Sequence, residues 1–199
     1  VYGNAERAII EVAHRLADFK LLWLEEPLST HPDMHVLASV TEGEPGSRYE
    51  APDRAYGGLR DVATASPIPL AGGEFFFGLA QFEDVLQTGA LRYLMPDVKH
   101  CGGLWEALRI GTLAEAHGVA LAPHNPSGAV ATLASAHLGV SLVAFDRLEF
   151  QWLEVPWRAE LLDPPEQIAA GTLLLPAGPG LGARLNERTV AAHRIPLHE

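Results

Sequence analysis

Ile68-Pro69-Leu70-Ala71 runs straight into Gly72-Gly73-Glu74: a short apolar segment that stops at two glycines and an acid. Its length and its Gly boundary read as a buried strand, because a helix would need about ten residues or more. The same plan recurs along the chain. Leu21-Leu22-Trp23-Leu24 is stopped by Glu25-Glu26-Pro27, and Leu91-Arg92-Tyr93-Leu94-Met95 by Pro96-Asp97. Val119-Ala120-Leu121-Ala122 leads into Pro123-His124, and Leu142-Val143-Ala144-Phe145 into Asp146 through Glu149. Around these runs lie helix-like segments at about 5–18, 57–65, 79–88, 104–117 and 128–141. In the first, Ala5, Ala8, Ile9, Val12 and Leu16 form one apolar stripe. The fourth ends at His117-Gly118, where Gly suits a left-handed cap.

Short buried strands alternating with helices imply βα units on a parallel sheet. Each strand closes on an ionisable side chain, and Glu74, Asp97, His124 and Glu149 follow one another at intervals of 23, 27 and 25 residues. That period approaches the roughly 30 residues per unit of an eight-stranded (β/α) barrel of about 250 residues. Active sites of such barrels lie at the C-terminal ends of the strands, so these residues would share one mouth. A doubly wound sheet would instead gather its ligand at a single switch point. The expected fold is therefore α/β, a TIM-type barrel represented by about five βα units and so incomplete. Residues 1–162 are expected to form this partial barrel, with a loop insertion at about 29–56 rich in Pro, Gly and Ser. Residues 163–199 lose the βα rhythm and read as a turn-rich tail.

Composition narrows the function classes. Of 199 residues, 14 are Lys or Arg and 25 are Asp or Glu, a formal charge of −11. An acidic chain without basic clusters is a poor partner for nucleic acid or for an anionic membrane surface. One cysteine, Cys101, excludes an intrachain disulfide framework and suits a reducing cytosol. No apolar run approaches the roughly 20 residues of a membrane span. A cytoplasmic protein acting on a small molecule is expected.

Glu25 and Glu74 at two strand ends of one mouth repel each other unless a proton or cation lies between them. A hard cation such as Mg²⁺ takes oxygen ligands of this kind and leaves water sites open. Either Glu alone is better explained by a helix cap or an Arg partner; the pair at this periodicity points to the cation. His124 sits in Ala122-Pro123-His124-Asn125-Pro126, where prolines restrict the backbone. Asp97, one unit earlier, could accept a proton from one imidazole nitrogen and aim the other at a substrate; its plainer role is to cap the helix after Gly102-Gly103. Glu149 could move a proton across the mouth, or simply be a surface acid beside Arg147. The pairs Gly72-Gly73 and Gly102-Gly103 lack the flanking residues of phosphate loops and read as tight turns. His31 and His35 are separated by Pro32, which argues against a zinc-binding helix. His14, His117 and His137 fall on helices and read as surface or packing residues.

Together, Trp23-Leu24-Glu25-Glu26-Pro27, Pro69 through Glu74, Met95-Pro96-Asp97 with Cys101-Gly102-Gly103, and Leu121 through Pro126 resemble the enolase superfamily, in its branch of mandelate racemase and the acid-sugar dehydratases. Pro179-Gly180-Leu181-Gly182 resembles the segment that returns to that family's N-terminal lid domain. The resemblance implies that Glu25 and Glu74 are the second and third Mg²⁺ ligands. It implies that Asp97 and His124 form a dyad whose His exchanges the proton beside a carboxylate, and that Glu149 is the acid of the last strands, with a register open by one residue. The implied reaction is dehydration of a sugar acid through an enediolate, by a hydro-lyase; the two exposed edges of an open five-unit sheet separately point to a homo-oligomer. A racemase or epimerase of a 2-hydroxy acid, or a non-catalytic remnant, are the alternatives. The family's first ligand, an Asp on the preceding strand, and its lid have no counterpart in residues 1–199. The resemblance thus implies the C-terminal part of such an enzyme, without a complete site of its own.

Overall fold

The computed structural model describes residues 3–28, 56–152 and 155–194. The chain opens with α1 (Asn4–Leu16), followed by a 3₁₀ turn (Ala17–Phe19) and β1 (Leu24–Glu25). Then come α2 (Gly57–Ala65), β2 (Leu70–Gly72), α3 (Gly78–Gln87), β3 (Tyr93–Leu94), α4 (Leu104–Ala116), β4 (Ala120–Leu121) and α5 (Ala129–Val140). The insertion expected at 29–56 falls, but for Tyr56, outside the described residues, as do His31 and His35.

β1 to β4 form one parallel sheet in chain order. The register pairs Glu25 with Ala71, Gly72 with Leu94, and Leu94 with Leu121. Every strand therefore delivers its C-terminal end to the same edge. The strand expected at 142–145 is reduced to one parallel bridge, Leu121 to Phe145. Leu121 N–H donates to Ala144 C=O at 2.7 Å and Asp146 N–H to Leu121 C=O at 2.9 Å, so this segment continues the sheet order without a regular ladder.

Side chains alternate across a strand, and here the alternation separates two apolar layers. Leu70, Leu94 and Leu121 pack with Phe82, Val85 and Ile110 of the helices in the main core. Burying each such side chain contributes about 1.5–3 kcal/mol. On the other face Ala71, Met95 and Ala122 form a smaller cluster with Trp23 and Tyr93, whose rings lie 4.8 Å apart. Two glycines admit the fifth unit. A Cβ on Gly111 would meet Leu142 Cδ1 at 2.3 Å, and one on Gly139 would meet the Phe145 ring at 2.6 Å.

After a 3₁₀ turn (Arg158–Glu160) the parallel pattern gives way to antiparallel pairs. β5 (Leu162–Asp163) pairs with β8 (Arg184–Leu185), and β6 (Gln167–Ala169) with β7 (Thr172–Leu174). Ala170 and Gly171, both at positive φ, make the two-residue β6–β7 turn. This tail docks on α5: Leu162, Leu173, Leu181 and Ala183 cluster with Ala129 and Leu133, and His137 Nε2 lies 3.2 Å from Leu181 C=O. A short α6 (Glu187–Ala192) follows, its N-terminus capped by Asn186 Oδ1, which accepts from Arg188 and Thr189 N–H. Among the described residues, no helix is long and apolar enough to cross a membrane.

Candidate active site

The C-terminal edge of the sheet collects the ionisable residues that the strand ends predict. Glu25 closes β1, and its Oε2 accepts from Trp23 Nε1 at 2.9 Å. Past β2 the backbone turns through Gly73, at φ 113°, where a Cβ would press on Phe82 at 3.2 Å. That turn presents Gly73 N–H to Glu26 Oε1 at 2.6 Å, and a Cβ on Gly72 would meet the same carboxylate oxygen at 2.9 Å. The glycine pair thus makes room for Glu26, a residue the sequence reading passed over in favour of Glu25. The available signal was the doubled acid Glu25-Glu26 at one strand end and the doubled glycine Gly72-Gly73 at another.

His124 stands between two carboxylates. Its Nδ1 lies 3.1 Å from Asp97 Oδ2 and its Nε2 3.3 Å from Glu74 Oε2. Asp97 is fully buried and heavily engaged. Its Oδ1 accepts from Lys99 N–H at 2.7 Å, its Oδ2 also lies 3.3 Å from Lys99 Nζ, and its carbonyl accepts from His100 and Cys101 N–H. Asp97 therefore braces its own turn and the His124 ring, and it leaves α4 without a side-chain cap. Glu149 reaches the same place from the fifth unit: its Oε2 accepts from Asn125 N–H at 2.8 Å. Arg147 pairs with Asp146 instead of Glu149.

These neighbours set the protonation states. Burial disfavours the charged imidazolium, but the Asp97 hydrogen bond and the charges of Glu74 and Glu149 outweigh it, so the His124 pKa is raised. Burial pushes the Asp97 carboxyl up, yet the His124 bond and the Lys99 amide and ammonium hold it below the ordinary carboxylate value. Glu74 is raised: burial is the largest cause, the like charges of Glu26, Glu25 and Glu149 add to it, and the opposing charge of His124 does not cancel the rise. Of the remaining predicted features, Cys101 is a buried free thiol raised by burial to about 11. His14, on α1, and His117, which caps the C-terminus of α4, are both exposed.

Among the described residues, no three His, Cys, Asp or Glu side chains are drawn together as a ready-made metal cage. The donor chemistry nonetheless fits a hard cation. Glu25, Glu26 and Glu149 all act on Glu74 with like charge, and a divalent cation would relieve that repulsion.

Known proteins match the chain that carries this sheet. The model of the family described as "Enolase C-terminal domain-like" covers residues 49–189. The chain belongs to this family. A mandelate racemase/muconate lactonizing enzyme from Jannaschia sp. CCS1, known from its crystal structure, superposes with a TM-score of 0.77 at 31% identity, over 98% of this chain and 44% of that one. A D-galactarolactone cycloisomerase of Agrobacterium fabrum is 29% identical over 98% of this chain and 48% of its own. A D-galactonate dehydratase of Variovorax paradoxus is 40% identical over 68% of this chain and 37% of its own. The chain spans about half the length, or less, of the curated relatives it matches. As a member of the enolase C-terminal domain-like family it has the α/β barrel part of that fold, including its parallel sheet.

Proposed function

We propose that this chain carries the acid–base face of a Mg²⁺-dependent sugar-acid dehydratase. The observation that supports this reading most is the His124 ring held between the Asp97 and Glu74 carboxylates at neighbouring strand ends. Similarity to a D-galactonate dehydratase supports the substrate class, a polyhydroxy carboxylate.

His124 is the base that takes the proton from the carbon beside the substrate carboxylate, in a reaction that passes through an enediolate. Asp97 fixes the Nδ1–H tautomer and stabilises the imidazolium that results, leaving Nε2 as the atom that receives the proton. Glu149, anchored by the Asn125 amide, is a second proton-carrying group across the mouth. Loss of the β-hydroxyl as water then gives an enol, which becomes a 2-keto-3-deoxy acid. Glu25 and Glu74 are the residues that would hold Mg²⁺, with Glu26 braced on Gly73 beside them. The cation, when bound, supplies positive charge that offsets the charge of the substrate carboxylate and of the developing enediolate.

The test is incubation of the protein carrying this chain with Mg²⁺ and a panel of aldonic acids in D₂O, followed by NMR. Formation of the 2-keto-3-deoxy product from one of them is the expected result. Exchange of the C2 proton without water loss would replace dehydration by racemisation, and no reaction with any of them would overturn the reading.

A further inference from the structure

Behind the mouth a buried polar chain runs from Glu149 to the C-terminal tail. It begins at Glu149, whose Oε2 accepts from the Asn125 backbone N–H at 2.8 Å and whose carbonyl accepts from Asn125 Nδ2 at 3.0 Å. The second Nδ2 proton goes to Thr132 Oγ1 at 3.0 Å, which also accepts from Arg158 Nη2 at 2.9 Å. The Arg158 guanidinium donates from Nε and Nη2 to the two oxygens of Glu166, at 2.8 and 3.0 Å, and from Nη1 to Ser127 C=O at 2.7 Å. It also stacks over the Phe150 ring, 4.7 Å from the centroid.

Donor and acceptor counts leave this chain one orientation. Glu149 C=O can only accept, so the Asn125 amide must present nitrogen to it. Thr132 Oγ1 accepts twice, and its own proton is left for Gly128 C=O or Ser127 C=O, at 3.3 and 3.5 Å. Asn125, Thr132 and Arg158 are all buried, where an unpaired polar group is costly. A forked Arg–carboxylate pair adds geometric definition to charge. The Glu166 end belongs to the tail, the Thr132 link to α5, and the Glu149 end to the mouth.

We propose that Arg158, clamped by Glu166, is a positioning residue that fixes the Glu149 carboxylate through Thr132, Asn125 and Phe150, so that the C-terminal tail sets the geometry of the proton-transfer site. The catalytic consequence rests on the function proposed above, while the positioning itself does not.

Two readouts separate the two. The first is amide hydrogen exchange at Asn125, whose N–H is held by Glu149. Arg158→Met and the near-isosteric Thr132→Val should each speed exchange at Asn125 by about tenfold or more relative to amides inside α4, and Glu166→Gln should do so to a smaller extent. The second is turnover of an accepted aldonate. Because small misplacement of a reacting group can cost about a hundredfold in rate, Thr132→Val should lower kcat by roughly ten- to hundredfold with KM nearly unchanged. In a Glu149→Gln background the same change should add nothing, since the group it positions is already gone. Asn125 exchange that stays at the wild-type rate in variants that fold, or a Thr132→Val loss that multiplies with that of Glu149→Gln, would overturn the proposal. Absence of any aldonate turnover in the unaltered protein would overturn the functional reading alone, because the exchange measurement still decides the positioning. Should Arg158→Met not fold, Thr132→Val and Glu166→Gln carry the same decision.

Discussion

The helix-covered face of the sheet and its C-terminal mouth are built from the same four short strands, yet they treat side chains in opposite ways. On the covered face Leu70, Leu94 and Leu121 meet Phe82, Val85 and Ile110 with almost no solvent exposure. At the mouth, a few residues further along, the carboxyls of Glu25, Glu26 and Glu149 crowd Glu74 with like charge, and Asp97 and Glu74 flank His124. The first layer gains stability from burial, and the second retains charge repulsion that a stability-optimised site would lose. Stability and chemistry should therefore respond to different substitutions.

The largest effect expected at the mouth is that of His124→Asn. General acid–base catalysis contributes about 10²- to 10⁴-fold, so kcat should fall by that factor. Asn still offers Asp97 a donor, so the thermal midpoint should move little, and Mg²⁺ affinity by calorimetry should be nearly unchanged. A large fall in midpoint would break the proposed separation of layers. On the covered face Leu94→Ala should do the reverse, costing about 2–5 kcal/mol in denaturant unfolding, as expected when a buried leucine leaves a cavity. The surviving folded fraction should keep its kcat.

Much of this division is legible in the sequence. The apolar runs and their stops place β2 to β4 within two residues at either end, β1 begins three residues after the start of its run at Leu21, and α2 at 57–65 is met to the residue. The run at 142–145 is apolar enough for a strand, but only Leu121–Phe145 bridges, a pairing that local pattern cannot count. Asp97, His124, Glu74 and Glu149 are brought together as the period of the strand ends anticipates. Glu26 was missed because alternation assigns adjacent residues to opposite faces, whereas its φ of 41° takes it out of the strand geometry. The Arg158–Glu166 clamp was missed because it joins two elements across a tail that has no periodicity to read.

Asp97→Asn sharpens the comparison because Asp97 belongs to both layers, buried yet bonded to the site. It should lower kcat less than His124→Asn, by about ten- to hundredfold, and lower stability by about 1.5–3 kcal/mol, the range of a hydrogen bond to a charged group. The stability difference should depend on pH. The Asp97 pKa is depressed in the folded state, so its contribution is present above the ordinary value of 3.8 and is lost as pH falls through the lower folded value. The His124 pKa is raised, so its contribution is present below 6.5 and is lost as pH rises through the higher folded value. The difference between wild type and Asp97→Asn should therefore be largest between those limits and shrink on either side. A gap that is flat with pH would contradict the dyad. The smallest effect belongs to neither layer: Asn186→Ala, which removes the cap of α6, should cost about 1 kcal/mol in denaturant unfolding and leave kcat unchanged.

The most direct test of the proton-transfer assignment is NMR of an accepted aldonate in D₂O with Mg²⁺, comparing wild type with His124→Asn in the protein that carries this chain. The C2 proton should disappear with the wild type as the 2-keto-3-deoxy acid forms, and persist with His124→Asn. Loss of the C2 proton at the wild-type rate in the His124→Asn protein would contradict the account.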